Sequence, residues 1–271
     1  MNTGLAGRSV VVTGGSANIG RSTALAFAAE GAAVVIVGRD EEQGHRVCAE
    51  LSESGAAEAV WHHADVTDRG DVAALVKAVH QHVGPPDVLV NNVGGHVGLD
   101  LFADTEPADW ERDISLTIMS TLNCTHAFLP GMISRGSGRI VNIGSTAGIL
   151  GDPMLAVYSA MKGAVHAFTK VLAKEVGRHG ITVNAVAPYG TMPEDPRSDV
   201  GRGSRWHPEG MFASLAAERG EELSSLGRRT LVGRETAFPS EVGAAVVYLA
   251  SEQAAFVTGQ VLCVDGGTQL A

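Results

Sequence analysis

Thr13-Gly14-Gly15-Ser16-Ala17-Asn18-Ile19-Gly20 is the stretch on which the fold turns. It follows a short β-branched run at residues 9–12 and opens a helical pattern over 21–29. Glycines between a strand and a helix do two things there. They permit a tight turn, and they leave the backbone bare, so that a pyrophosphate can rest at the positive end of the helix. A plain strand–helix connection would use glycine for the first reason alone, so the turn takes its meaning from its surroundings.

Those surroundings alternate. Strand-like runs at 33–37, 59–62, 87–91, 139–143, 181–186 and 261–264 are separated by helical patterns at 41–54, 71–82, 107–133, 153–178 and 241–251. In one of these helices Val72, Leu75, Val76 and Val79 recur at i, i+3, i+4 and i+7. Uniformly apolar strands separated by helices predict an α/β fold, a doubly wound parallel sheet of about seven strands with helices on both faces. With 271 residues and no linker, one Rossmann-type domain over 1–271 is expected. The rhythm breaks from Pro188 to Pro239, where prolines, glycines and charges surround a helical patch at 211–217. A long irregular stretch of this kind is either a functional lid or a disordered insert, and 189–239 is assigned as a substrate lid.

Hydrophobic residues make up 45% of the chain, enough for a sizeable core and too many for a disordered chain. Thirty acidic residues against 20 basic ones give a net charge of −10, which repels phosphate backbones and excludes a general nucleic-acid binder. No apolar run approaches the ~18 residues of a membrane span. The start, Met1-Asn2-Thr3-Gly4, lacks the basic region of a signal peptide. Cys48, Cys124 and Cys263 lie far apart with no CxxC, as suits reduced, buried thiols. A soluble cytoplasmic protein with neither nucleic-acid nor membrane partners is expected. His62-His63 and His80-x-His82 have no further ligand at metal spacing, so no metal is assigned.

The glycine turn resembles the TGxxxGxG fingerprint of the short-chain dehydrogenase/reductase family, with Asn18 where the family has its middle glycine. Asparagine tolerates a left-handed backbone, so the turn can survive the exchange. The resemblance runs on along nearly the whole chain. Asp65-Val66 resembles the family's adenine-contacting pair, and Asn91-Asn92-Val93-Gly94 its NNAG. Ser145 lies 13 residues before Tyr158, and Tyr158-x-x-x-Lys162 resembles its YxxxK. Asn184, four residues before Pro188, resembles NxxxPG; Val257-Thr258-Gly259-Gln260 and Val264-Asp265-Gly266-Gly267 resemble its C-terminal signature.

What the resemblance implies is an NAD(P)-dependent oxidoreductase interconverting a secondary alcohol and a ketone, close to the 3-oxoacyl-carrier-protein reductases. Carried onto this sequence, it assigns Thr13, Gly14, Ser16, Asn18, Ile19, Gly20, Arg39, Asp65, Val66, Asn92, Gly94, Tyr158, Lys162, Pro188 and Thr191 to the nucleotide. It makes Tyr158 the general acid/base, Lys162 its pKa tuner and a ribose ligand, and Ser145 the group that orients the substrate oxygen. The chemistry is sound: i and i+4 share a helix face, and a phenol with a pKa near ~10 becomes a useful base beside a cation. Thr117 stands where the family has an asparagine whose carbonyl holds a relay water.

Seven residues after Gly31, where NAD-preferring relatives carry an aspartate, this chain has Gly38 followed by Arg39. A guanidinium without that carboxylate favours NADP(H) over NAD, although Arg39 covering the adenine face is the other reading, and Asp40 and Glu41 weaken the field. The substrate is a small carbonyl or alcohol. His96, Val97, Met154, Tyr189 and Met192 are pocket positions by analogy, and His96 reads equally as a loop histidine. Arg197, Arg202, Arg205, Arg228, Arg229 and Arg234 either clamp an anionic or thioester-linked substrate or form a solvated charged loop. Ala156, Ala160, Gly163, Ala164 and Ala167 on helix 153–178, with the family's pairing of that helix, imply a homotetramer. Two rivals remain on the sequence: a cofactor-binding sensor with little turnover, and the family's dehalogenase offshoot, which has Arg in place of the lysine. Ser145, Tyr158 and Lys162 together argue against both.

Overall fold

The computed structural model describes residues 2–197, 199–201, 204 and 207–270, with the backbone alone for 221–226. Arg202 and Arg205 lie outside the described residues. The strands are β1 (Ser9–Thr13), β2 (Ala33–Gly38), β3 (Glu58–His63), β4 (Val88–Asn91), β5 (Gly138–Ile143), β6 (Ile181–Pro188) and β7 (Val261–Val264). The helices are α1 (Asn18–Ala29), α2 (Glu41–Glu53), α3 (Arg69–His82), α4 (Pro107–Ile114), α5 (Ser120–Arg135), α6 (Ala147–Leu150), α7 (Ala156–Val176), α8 (Met211–Leu226) and α9 (Pro239–Ala250). All seven strands are parallel and stand in the order β3-β2-β1-β4-β5-β6-β7.

The pleat sorts each strand's residues between two cores. Val10, Val12, Val34, Ile36, Val88 and Val90 pack toward α1, α2 and α9 with Phe27, Leu51 and Val246. Val11, Val35, Leu89 and Ile140 pack the other way, against Leu75, Phe128, Met132 and Leu172 of α3, α5 and α7. Both faces are covered, which is why the inner strands bury apolar side chains on both sides rather than on one.

The strand order reverses between β1 and β4, and this opens a crevice beyond their carboxyl ends. Side chains hold the crevice open at a fixed width. Thr13 Oγ1 accepts from the Asn92 and Val93 amides (3.0 and 3.3 Å) and donates to the Val90 carbonyl. Deeper in, Asn91 Nδ2 donates to Asn142 Oδ1 (2.8 Å) and Thr125 Oγ1 (2.9 Å), and Asn142 Nδ2 donates to Thr169 Oγ1 (2.9 Å). This buried chain of amides and hydroxyls ties β4 and β5 to α5 and α7. A broken link there would strand a buried polar group, at a cost of ~1–3 kcal/mol.

Besides the short helix α6, which the sequence expectation lacks, three elements depart from it. The helical region 107–133 is divided by a π-helical turn, Ser115–Met119, between α4 and α5. The helix expected from 153 begins at Ala156, because Met154 takes a left-handed φ of 65°. The patch at 211–217 continues to Leu226 across a kink at Arg219. Among the described residues, no helix is long and apolar enough to cross a membrane.

Candidate active site

A cleft of about 820 Å³ follows the crevice, from Arg39 and Asp65 at one end to Ser145, Tyr158 and Lys162 and then the insert at the other. Its floor is the glycine turn. Gly14 has φ 62°, and a Cβ on Gly20 would lie 2.0 Å from the Gly14 carbonyl oxygen, so the turn closes this tightly only with glycine there. Asn18 takes the left-handed φ of 45° expected of it. Asn92 Nδ2 donates to the Thr13 and Gly14 carbonyls (3.0 and 3.1 Å), and Gln43 Nε2 donates to the Ser16 carbonyl (3.0 Å). The turn is thus stapled from two neighbouring elements.

These residues fit a nicotinamide dinucleotide. Helix α1 starts at Asn18 without a side-chain cap, as suits a terminus that meets an anion. Asn18 Oδ1 is buried without a hydrogen-bond partner among the described residues, an acceptor of the kind a ribose hydroxyl would satisfy. At the far rim, Arg39 lies 3.4 Å from Asp65 and is largely exposed. Partial burial works to raise the Asp65 carboxyl. The Thr67 hydroxyl and amide and the Arg39 guanidinium outweigh it and hold the carboxyl below its ordinary range.

The other end of the cleft is built by β5 and α7. Lys162 is 3% exposed; its Nζ donates to the Ile143 carbonyl at 2.6 Å and lies 5.7 Å from the centre of the Tyr158 ring. Gly94 leaves room for that ammonium, since a Cβ there would come within 3.0 Å of it. Ser145 Oγ accepts from the Ala147 amide at 3.1 Å. The His96 ring meets Tyr158 edge-on at 5.4 Å and Phe212 of α8 at 5.7 Å, while Nδ1 lies 2.9 Å from the Gly98 carbonyl.

Of the residues singled out from sequence, Gly14, Ser16, Asn18, Ile19, Gly20, Arg39, Asp65, Val66, Asn92, Gly94, Ser145, Tyr158, Lys162, Pro188 and Thr191 all line this one cleft. Thr13 and Thr117 stand behind its wall. The Thr117 hydroxyl donates to the Gly95 carbonyl (2.9 Å) and accepts from its amide (3.3 Å), while the Thr117 carbonyl accepts from the Ser120 and Thr121 hydroxyls at 3.3 Å. His96, Met154 and Tyr189 reach the cleft; Val97 borders a smaller neighbouring cavity, and Met192 is exposed outside both.

Arg228 and Arg234 of the insert are engaged with the chain itself. The Arg228 guanidinium grips Asp152 (2.7 Å) and the Gly151 carbonyl, and its amide donates to the Tyr189 hydroxyl at 2.7 Å. Arg234 pairs with Glu241. Three participants carried no sequence signal. Arg219 donates to the Leu99 carbonyl (2.7 Å) and pairs with Asp100 (3.0 Å). Arg21 joins Glu50 (2.7 Å) to Asp199 (2.9 Å), whose carbonyl also accepts from the Asn18 amide, so the insert packs over the glycine turn. His166, on α7, accepts from the Ser145 amide. Among the described residues, no cluster of three or more potential metal ligands occurs.

The comparisons with known proteins agree with this geometry. The family model described as short chain dehydrogenase matches residues 8–198, and one described as Enoyl-(Acyl carrier protein) reductase matches 209–269. The chain is 36% identical to 2-(S)-hydroxypropyl-CoM dehydrogenase 3 of Xanthobacter autotrophicus, over 98% of each chain. It is 35% identical to a 3beta-hydroxysteroid dehydrogenase of Mediterraneibacter gnavus, over 95% of this chain and 93% of that one. It is 37% identical to a 3-oxoacyl-[acyl-carrier-protein] reductase of Synechocystis, over 98% of both. A crystal structure described as gox2181 superposes with a TM-score of 0.85 at 29% identity, covering 98% of this chain and 97% of that one.

Proposed function

Because the chain belongs to the short-chain dehydrogenase family of NAD(P)-using oxidoreductases, we propose that it interconverts a secondary alcohol and a ketone, with Tyr158 as the general acid/base. The observation that carries this is the convergence of Ser145, Tyr158 and Lys162 on the same cleft as the glycine turn. When bound, the nicotinamide nucleotide supplies or takes up the hydride. The chain's own residues manage the oxygen and its proton. The Ser145 hydroxyl orients the substrate oxygen, and the Tyr158 phenol gives it a proton in reduction or takes one in oxidation. The Lys162 ammonium, fixed by the Ile143 carbonyl, stabilises the phenolate that reduction leaves behind. Thr117, through its two bonds to Gly95, holds the backbone that leaves space for that ammonium.

NADP(H) is the proposed partner, supported by Arg39 at the rim and Gly38 in place of a carboxylate; Asp65 competes for the same guanidinium. Residues 189–239 form the substrate lid within a single 1–271 domain. Support for a small, uncharged carbonyl substrate comes from Leu99, Leu116, Met154 and Phe212 along that end of the cleft, and from the engagement of Arg219 and Arg228 with Asp100 and Asp152. A reducing, cytoplasmic setting suits the three free thiols, which burial pushes above their ordinary pKa. Mixing the protein with NADPH and a ketone panel tests the reading: nucleotide fluorescence should shift on binding, and NADPH should be consumed with at least one ketone. Binding without consumption of NADPH by any ketone, and of NADP by the matching alcohols, would contradict it.

A further inference from the structure

One face of α7 carries Tyr158, Lys162 and His166 at i, i+4 and i+8. The proposed chemistry uses the first two. His166 is 5% exposed and takes no part in it, yet its Nε2 accepts from the backbone amide of Ser145 at 3.4 Å. One turn back along the helix, Lys162 donates to the Ile143 carbonyl, and between the two the Gly144 amide donates to the Val186 carbonyl at 2.7 Å. Three consecutive residues at the end of β5 are therefore each held by a backbone hydrogen bond, two of them from α7. Space is as restrictive as bonding. A Cβ on Gly144 would come 2.2 Å from His166 Nε2, so the ring seats under this loop only because residue 144 is glycine.

We propose that His166 is a positioning residue: its Nε2 fixes the Ser145 loop, and hence the serine hydroxyl, at a set distance from Tyr158 on the same helix. This rests on the assignment of Ser145 and Tyr158 given above. An acceptor must be unprotonated. Burial pushes the imidazole down to about 4, and the ammonium groups of Lys162 and Lys170 act in the same direction, so the acceptor is present throughout the neutral range. Side chains placed in this way govern rate rather than cofactor affinity, since a misplacement of ~1 Å can cost about a hundredfold in turnover.

The test compares His166→Leu, which keeps bulk and removes the acceptor, with His166→Gln, whose amide oxygen can accept from the Ser145 amide. The probes are NADPH with ethyl acetoacetate, a 3-oxosteroid and an acetoacetyl thioester. The expected result is a kcat about ten- to a hundredfold lower for leucine, with NADPH affinity unchanged, and recovery of most of that loss by glutamine. A leucine variant with the unmutated kcat, or a glutamine variant as slow as leucine, would overturn the proposal. Ser145→Ala and Tyr158→Phe run alongside to separate the two ways of failing. If both keep full turnover, the site assignment falls; if both lose it while leucine does not, only the role of His166 falls. Should the leucine variant not fold, ring 15N shifts of the unmutated protein decide. Unprotonated Nε2 at neutral pH is expected, and a protonated Nε2 would overturn the proposal.

Discussion

Arg39 and Asp65 sit 3.4 Å apart at the nucleotide rim, and their competition sets what each substitution should do. A 2′-phosphate would take the guanidinium from a carboxylate, so Arg39→Ala should weaken NADPH about tenfold, roughly 1.4 kcal/mol, and leave NADH nearly unchanged. Asp65→Asn should act the other way on NADPH by freeing the guanidinium. Michaelis constants for both nucleotides check the pair, and equal use of NADH and NADPH by the unmutated protein would refute the assignment. Thr117 is a second single-residue question. Its hydroxyl already bridges both polar groups of Gly95, so Thr117→Asn should alter kcat only a few-fold, while Thr117→Val should loosen that backbone and lower kcat further. A hundredfold gain with asparagine would mean that this chain has surrendered a proton relay. Residues such as Tyr158 and Lys162 were legible because they lie four apart on one helix, where spacing alone implies a shared face. His166 lies another four on, but its partner Ser145 is 21 residues away, and only the folded chain brings the ring under the loop.

At the scale of elements, α7 makes a pH prediction. Its buried His166 has a pKa pushed down to about 4 from 6.5. The unfolded chain therefore binds this proton first as pH falls, so stability from the neutral ring is full above 6.5 and lost between 6.5 and 4. The gap corresponds to about 3 kcal/mol. Urea unfolding across that window should show a steeper loss for the unmutated protein than for His166→Gln; parallel curves would contradict the burial argument. The carboxyls of Asp65 and Asp265, also held low, add a loss in the same direction to both proteins. The insert makes another prediction. Arg21 ties it to α1 through Asp199, so Arg21→Ala should speed proteolysis within 195–204 several-fold while changing global stability by only ~1 kcal/mol. Elements were legible where periodicity was local and strong. The π-helical turn was not, because Ser115-Leu116-Thr117-Ile118-Met119 contains no proline or glycine to announce it. Its widening comes with tertiary hydrogen bonds between Thr117 and Gly95.

Across the whole molecule, the sheet order and the site were readable together for one reason. Thr13, Gly38, Asn91, Ile143 and Pro188 end β1, β2, β4, β5 and β6. The glycine turn, Arg39, Asn92 with Gly94, Ser145 and Thr191 follow those ends, while Tyr158 and Lys162 stand on α7, whose Lys162 meets the end of β5. A parallel sheet with a reversal at β1/β4 gathers those ends into one crevice, so motif order along the chain already implied convergence. The insert had no such rule to follow. Its partners Arg21 and Asp199 are 178 residues apart in sequence, and no local pattern encodes that meeting. Assembly is a further prediction at this scale. Helix α7 leaves Ala156, Ala160, Ala167 and Val171 exposed, a small apolar face suited to a two-fold partner, and light scattering should report a tetramer at micromolar concentration. A monomer would sink that expectation without touching the chemistry. The chemistry itself rests on the Tyr158 hydroxyl, and the most direct measurement is turnover and NADPH binding of Tyr158→Phe side by side. Turnover should fall at least a hundredfold while NADPH binds as before, because the ring still packs against His96 and only the acid is gone. A phenylalanine variant that turns over at the unmutated rate would contradict the account.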